Sequence, residues 1–281
     1  MISSPAKSYL LFFAVLFGLF ILLYSKVIVG LYHSWMDDPN YSHGFLVPFI
    51  SAYFAWRKRD RLAELDVRPA FGGLLVVLFG VFVLFAGIAA QEFYTRRASM
   101  IIILAGCLIF LLGWNWLKAL ALPIIFLFFM IPLPYIVYDA IAFPLKLFVA
   151  KFSVATLQAI GVIVIREGNI IIFPNITLEV ADACSGLRSL MSLLAMSVAL
   201  AVTTQVRNWA MVLVVILAIP VAIFTNMIRV IVTGFLAQYY GTAVAEGFFH
   251  EFAGMSVFVL AMVMMILLSG AVRKLSARRV A

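Results

Sequence analysis

Charge is scarce in this chain. Only 11% of its 281 residues are Asp, Glu, Lys or Arg, and 66% are apolar. Soluble domains carry about a quarter of their residues as charges, so an ordinary soluble globular protein is excluded. Cysteine is scarcer still, just Cys107 and Cys184, and their spacing matches no zinc motif. Cys107 falls mid-run in ILAGCLIFLLG and reads as a small apolar residue. The two should lie at different membrane depths, which argues against a disulfide. The three histidines and the carboxylates form no metal-ligand motif, so neither a metal nor a cofactor is expected. Repeats, heptads and low-complexity tracts are also missing.

Long apolar runs are what the chain has instead. Residues 9–24, 71–90, 99–113 and 255–270 contain no charge at all. A span needs ~20 mostly apolar residues to cross ~30 Å of hydrocarbon. The pattern predicts an all-α polytopic membrane protein, a single integral membrane domain over 1–281 with about eight transmembrane helices. They are expected near 9–32, 44–56, 71–90, 98–113, 117–133, 185–203, 208–230 and 250–271. Lys7 precedes the first run and no small-residue cleavage site follows it, so it reads as a retained span.

The net charge of +8 raises nucleic acid as a partner. Its placement excludes that: WRKRDR at 56–61 and RKLSARR at 273–279 both abut apolar runs, as topology determinants do. With the N-terminus inside, Lys7, the 57–68 cluster, Lys118, Arg207 and the C-terminal tail all fall on one side, and the remaining basic residues are spread thinly. The positive-inside rule then sets both termini in the cytoplasm. The start of the sixth span, the end of the seventh and the start of the eighth open on the outer face.

The stretch 134–183 is expected as an extracytoplasmic insert between spans five and six. Its first half is apolar with Lys146 and Lys151 upon it, suiting a small interfacial helix. Its second half, GVIVIREGNIIIFPNITLEV, places two β-branched runs around the turn-like 166–169 and predicts a β-hairpin before the sixth span. A sheet edge there could accept an extended peptide as a further strand.

Three polar residues mark the outward-opening points: Cys184, Arg229 and His250. Cys184 precedes a helix entering the membrane, where unpaired N–H groups favour thiolate. Asp182 opposes that charge, Arg188 supports it, and Ser185 follows Cys184 directly in sequence. The plain alternative is a structural cysteine. An arginine is costly near hydrocarbon, so Arg229 either holds an anion or snorkels to the phosphate level. Asn226, one turn earlier, is suited to orient it. His250 is the natural proton acceptor for a thiol, or else an interfacial histidine. His43 in the outer loop DPNYSHGF is a second candidate imidazole, and His33 reads as ordinary interface. Base, thiolate and cation together make a complete acyl-transfer set.

Four stretches carry a resemblance. DPNYSHGFLVP (38–48), EVADACSGLRSL (179–190), NMIRV (226–230) and HEFAG (250–254) make the chain similar to the exosortases, bacterial membrane-embedded cysteine transpeptidases related to the archaeosortases. The resemblance implies a Cys184–Arg229–His250 site on the outer face of the bacterial inner membrane. It implies membrane-anchored secreted substrates with a C-terminal sorting signal: a Pro-Glu-Pro-like motif, a transmembrane helix and a basic tail. Transfer to an unknown acceptor nucleophile, in cells making extracellular polysaccharide, is implied as well. Two other readings stay open at this point. One is a transporter or flippase for a lipid-linked or anionic compound. The other is a membrane hydrolase that resolves the same thioester with water.

Overall fold

Glycines at seven-residue intervals decide how the first part of the chain folds. In the computed structural model, α4 (Gly72–Ala89) and α5 (Phe93–Leu112) form an antiparallel hairpin. A Cβ on Gly73 would stand 2.2 Å from the Phe110 nitrogen, and one on Gly80 2.5 Å from Ile103 Cγ1. Gly106 answers from α5, where a Cβ would lie 2.7 Å from the Val77 nitrogen. Lipid supplies no hydrophobic drive for helix association, so this backbone approach is what holds such a pair. The model describes the backbone of residues 4–174, 176–180, 187–240 and 248–278. Within these, it describes all side chains but those of 4–13, 39, 40, 187–189, 237, 239, 240, 248–251, 253 and 278.

The chain divides into two compact units, Met1–Pro134 and Tyr135–Ala281. The first contains α1 (Ser4–Asp37), a 3-10 segment (Pro39–Phe45), α2 (Leu46–Trp56), the short α3 (Arg59–Ala63), α4, α5 and α6 (Trp114–Phe126), which tightens into 3-10 geometry over Leu127–Met130. α2 and α6 run antiparallel, and polar side chains join them. The Lys58 ammonium donates to the Ala119 carbonyl at 2.6 Å, Ser51 Oγ to Pro123 O at 2.8 Å, and His43 Nε2 meets Phe129 O at 3.2 Å. At the top of α1, Trp35 Nε1 donates to Met130 O at 2.8 Å. The carbonyls that a helix end leaves unpaired are thereby satisfied.

The second unit contains α7 (Tyr135–Ala159), three short strands, α8 (Leu187–Thr204), α9 (Asn208–Tyr240) and α10 (Phe248–Arg278). The strands β1 (Ile165–Glu167), β2 (Ile170–Ile172) and β3 (Thr177–Glu179) form one antiparallel sheet in the order β1-β2-β3. A hairpin around 166–169 is therefore present, and a third strand is added to it. Ile171 and Phe173 bury one face of the sheet against Val149, Val154 and Leu157 of α7 and Val230 of α9.

Among the described residues, six segments are long and apolar enough to cross a membrane: Ala14–Asp37, Gly72–Ala89, Phe93–Leu112, Tyr135–Ala159, Asn208–Leu236 and Gly254–Ala277. Trp114–Met130 and Leu190–Thr204 are shorter apolar helices. The protein is an all-α, multi-pass membrane protein with one small sheet. Two details differ from the expected spans. α2 has only 11 residues, too few to cross unaided at 1.5 Å per residue. α7 has the length and apolarity of a span where an interfacial helix was expected. Tyr138 and Ala142 of this helix join the core of α8, α9 and α10, while Val149, Ala150, Val154 and Leu157 join the core under the sheet.

Candidate active site

The buried face of α9 changes character along its length. Ala210, Val214, Ala218 and Ala222 recur every fourth residue and pack against α8 and α10, the spacing of one helix face. The same face continues upward as Thr225, fully buried, Asn226 at 2% exposure and Arg229 at 7%. Thr225 Oγ1 donates to the Val221 carbonyl at 2.9 Å, so it serves its own helix. Arg229 is different, a guanidinium buried at the end of an apolar stripe, where an arginine normally pairs or has a function.

A glycine on the neighbouring helix makes room for it. A Cβ built on Gly254 of α10 would lie 3.4 Å from an Arg229 terminal nitrogen and 3.5 Å from Cζ. The planar head of Arg229 therefore lies against the α10 backbone. His250 is four residues before Gly254 on the same helix, hence on the same face one turn away, ~6 Å along the axis. The backbone brings the His250 position to the Arg229 guanidinium; the imidazole itself is outside the described side chains.

Hydrogen bonds at the other end of the bundle set the level of α8. Thr204 Oγ1 meets Ser269 Oγ at 2.8 Å, and Gln205 Nε2 donates to Ser269 O at 2.9 Å and to its Oγ at 2.8 Å. α8 and α10 run parallel, with α9 antiparallel between them. Climbing α10 from Ser269 to Gly254 covers about 22 Å at 1.5 Å per residue. The same climb from Thr204 reaches Ser189, in the first turn of α8. The start of α8, the Arg229 turn of α9 and the Gly254 turn of α10 thus share one level. Arg207, Arg273 and Lys274 sit at the opposite end of this unit.

Cys184, Asp182 and Ser185 lie outside the described residues, a few positions before Leu187. Arg188 is in the first turn of α8 by its backbone, its side chain likewise not described. Asn226 is buried one turn before Arg229. His43 belongs to the first unit, where Gly44 seats against the Trp35 indole and His43 Nε2 donates to the Phe129 carbonyl at 3.2 Å. A carbonyl can only accept, so that nitrogen carries the proton. His33 stands 3.8 Å from Asp37 on an exposed helix turn. Among the described residues, no group of three or more His, Cys, Asp and Glu is gathered closely enough to hold a metal.

Sequence reasoning gave no role to Gly254. The available signal was a small residue four positions after a histidine at a helix start. It also passed over Arg97 of α5, as buried as Arg229, whose guanidinium donates to Gly30 O at 3.1 Å and Ser34 Oγ at 2.7 Å on α1.

A family model for transmembrane exosortases matches residues 35–267. No curated protein and no solved structure matches the chain. The matched span runs from the end of α1 to the lower part of α10 and includes the DPNYSHG segment, Arg229 and Gly254. Over most of its length, then, this chain belongs to the transmembrane exosortase family, whose members act as membrane transpeptidases in the general sense.

Proposed function

We propose that the protein is a membrane-embedded cysteine peptidase or transpeptidase with Cys184 as nucleophile, His250 as proton carrier and Arg229 as the cation that stabilises developing negative charge. The observation that carries this reading is Arg229 itself. It is a buried guanidinium lying against Gly254, one helix turn from the His250 position and level with the start of α8. Cys184 is three positions before that start in sequence. The substrates are secreted proteins tethered by a C-terminal sorting signal of the Pro-Glu-Pro, transmembrane-helix, basic-tail kind. By the positive-inside rule, the basic residues at the far end of α8, α9 and α10 support a cytoplasmic location for that end and a site at the outer face of the inner membrane.

The chemistry follows from the residue types. Neutral His250 accepts the Cys184 proton, and the thiolate attacks the scissile carbonyl carbon. The carbonyl oxygen gains negative charge, which Arg229 meets with fixed N–H donors and no reorganisation. Collapse breaks the C–N bond, the leaving amine takes the proton from the imidazolium, and a thioester remains on Cys184. An acceptor nucleophile or water then attacks the thioester, His250 takes up its proton, and the thiol is restored.

The test is processing of a membrane reporter carrying such a signal. Cys184→Ala should abolish cleavage while the protein still inserts. His250→Ala should slow acylation by about 10²–10⁴. Undiminished cleavage by Cys184→Ala would overturn the assignment.

A further inference from the structure

We propose that the outer edge of β3 is the substrate-docking strand: the extended segment flanking the scissile bond pairs with the backbone of Thr177 and Glu179. This rests on the peptidase reading above and identifies how its substrate is held.

The register decides which groups face outward. Phe173 N donates to Ile176 O at 2.8 Å and Val180 N to Asn169 O at 2.9 Å. In an antiparallel ladder hydrogen-bonded and non-hydrogen-bonded pairs alternate. Ile176, Leu178 and Val180 therefore turn their backbone groups toward β2, and Thr177 and Glu179 turn theirs away. The same alternation leaves Arg166 alone facing out from β1 at the opposite edge. Thr177 and Glu179 are exposed, and no described backbone group pairs with them. Sheet edges are usually blunted by Lys, Pro or a bulge. Thr-Leu-Glu has neither Lys nor Pro, and only its three-residue length and the Glu179 charge guard the edge.

Position selects the occupant. Glu179 is five residues from Cys184, at most ~18 Å of extended chain. The sheet is also fixed to the helix that carries Arg229. A Cβ on Gly234 would come within 2.9 Å of the Phe173 ring, and Val230 shares the core beneath the sheet. A peptide laid along β3 is held by main-chain bonds, which suit an extended backbone regardless of side chain. It would be led toward the start of α8, at the level of the guanidinium. β2 is the central strand, so proline within 170–173 would break the sheet and report nothing about docking.

Proline in the edge strand is the informative change, because it deletes an N–H and is tolerated where that N–H faces outward. Thr177→Pro and Glu179→Pro each remove one outward donor and spare the β2–β3 ladder. Both should lower processing of a subsaturating sorting-signal reporter by about tenfold at normal membrane content. Arg166→Pro, on the other edge, should process like the parent. A second measurement uses the unaltered enzyme and synthetic peptides spanning the cleavage segment, N-methylated at one amide each. Turnover should fall at every second position. A flat N-methyl profile, parental rates for both β3 variants, or equal damage by Arg166→Pro would overturn the proposal; if the proline variants fail to accumulate, the N-methyl profile decides.

Docking is separated from chemistry by a photo-crosslinking amino acid at position 179 in Cys184→Ala protein. Crosslinking to the reporter without cleavage supports the docking strand. A crosslink combined with no cleavage by the parent would sink the catalytic reading alone. Cleavage by the parent with no crosslink would sink the docking strand alone.

Discussion

Arg97 and Arg229 are buried to the same extent, each at 7% exposure, and each lies beside a glycine of a neighbouring helix. Their surroundings differ. Arg97 is an α5 residue whose guanidinium reaches across to α1, donating to Gly30 O and Ser34 Oγ. It is spent on tying two helices. Arg229 ends a buried stripe of small residues at one end of the α8–α10 bundle, its head flat against Gly254 at the level where α8 begins. A buried arginine is thus no sign of catalysis by itself; the level it occupies in the bundle is what sets Arg229 apart.

The sharpest way to break the comparison is to substitute both. Arg229→Ala should reduce turnover of a sorting-signal reporter by about 10²–10³ per folded molecule. Arg97→Ala should instead lower the melting temperature of detergent-solubilised protein. Losing its two hydrogen bonds to α1 should cost about 1.5–3 kcal/mol for each bond, with turnover per folded molecule preserved. Equal loss of turnover in both would erase the distinction.

A smaller effect sharpens it from the glycine side. The Cβ position on Gly254 is at ordinary contact distance from Arg229, so Gly254→Ala should fit. Gly254→Val should displace the guanidinium and lower kcat by about 10–100-fold, since small misplacements at a reacting centre are that costly. Measuring kcat and KM separately across the glycine, alanine and valine series checks this. A valine variant with parental kcat would detach Gly254 from the site.

The smallest effect lies at the start of α5. Glu92 accepts hydrogen bonds from the backbone N–H of Tyr94 at 2.9 Å and of Thr95. Partial burial pushes its carboxyl up, but the bonds from Thr95 and Tyr94 and the charge of Arg97 outweigh this, leaving it below the usual carboxylate range. Its stabilisation is therefore complete above the ordinary glutamate pKa and is lost as pH falls through the lowered one. Glu92→Gln should flatten the acid end of the stability–pH curve of the solubilised protein and leave neutral pH within about 1 kcal/mol. An unchanged acid limb would remove the assigned role.

Much of this was legible in the residues. Uncharged runs located the helices, because nothing else satisfies backbone groups in lipid. The glycine turn between β-branched segments located β1 and β2. β3 was missed because Thr-Leu-Glu is too short to display alternation, and only its pairing with β2 makes it a strand. α7 was read as shorter than it is: Lys146 and Lys151 drew the eye to a water-facing side, whereas the helix runs 25 residues and buries Val149, Ala150 and Leu157 fully. Arg229 stood out as a charge in an apolar run. Its partner surface did not, since a glycine gives no hydropathy signal and its meaning comes from the neighbour it admits.

Phe173 leaning on Gly234 has a mechanical consequence. Helices retilt when the bilayer thins or thickens around them, and α9 is long enough to feel such changes. Because the strands ride on α9 a few residues above Arg229, any rocking of that helix carries rail and cation together. Lipid thickness can then shift the whole assembly without disturbing its internal alignment.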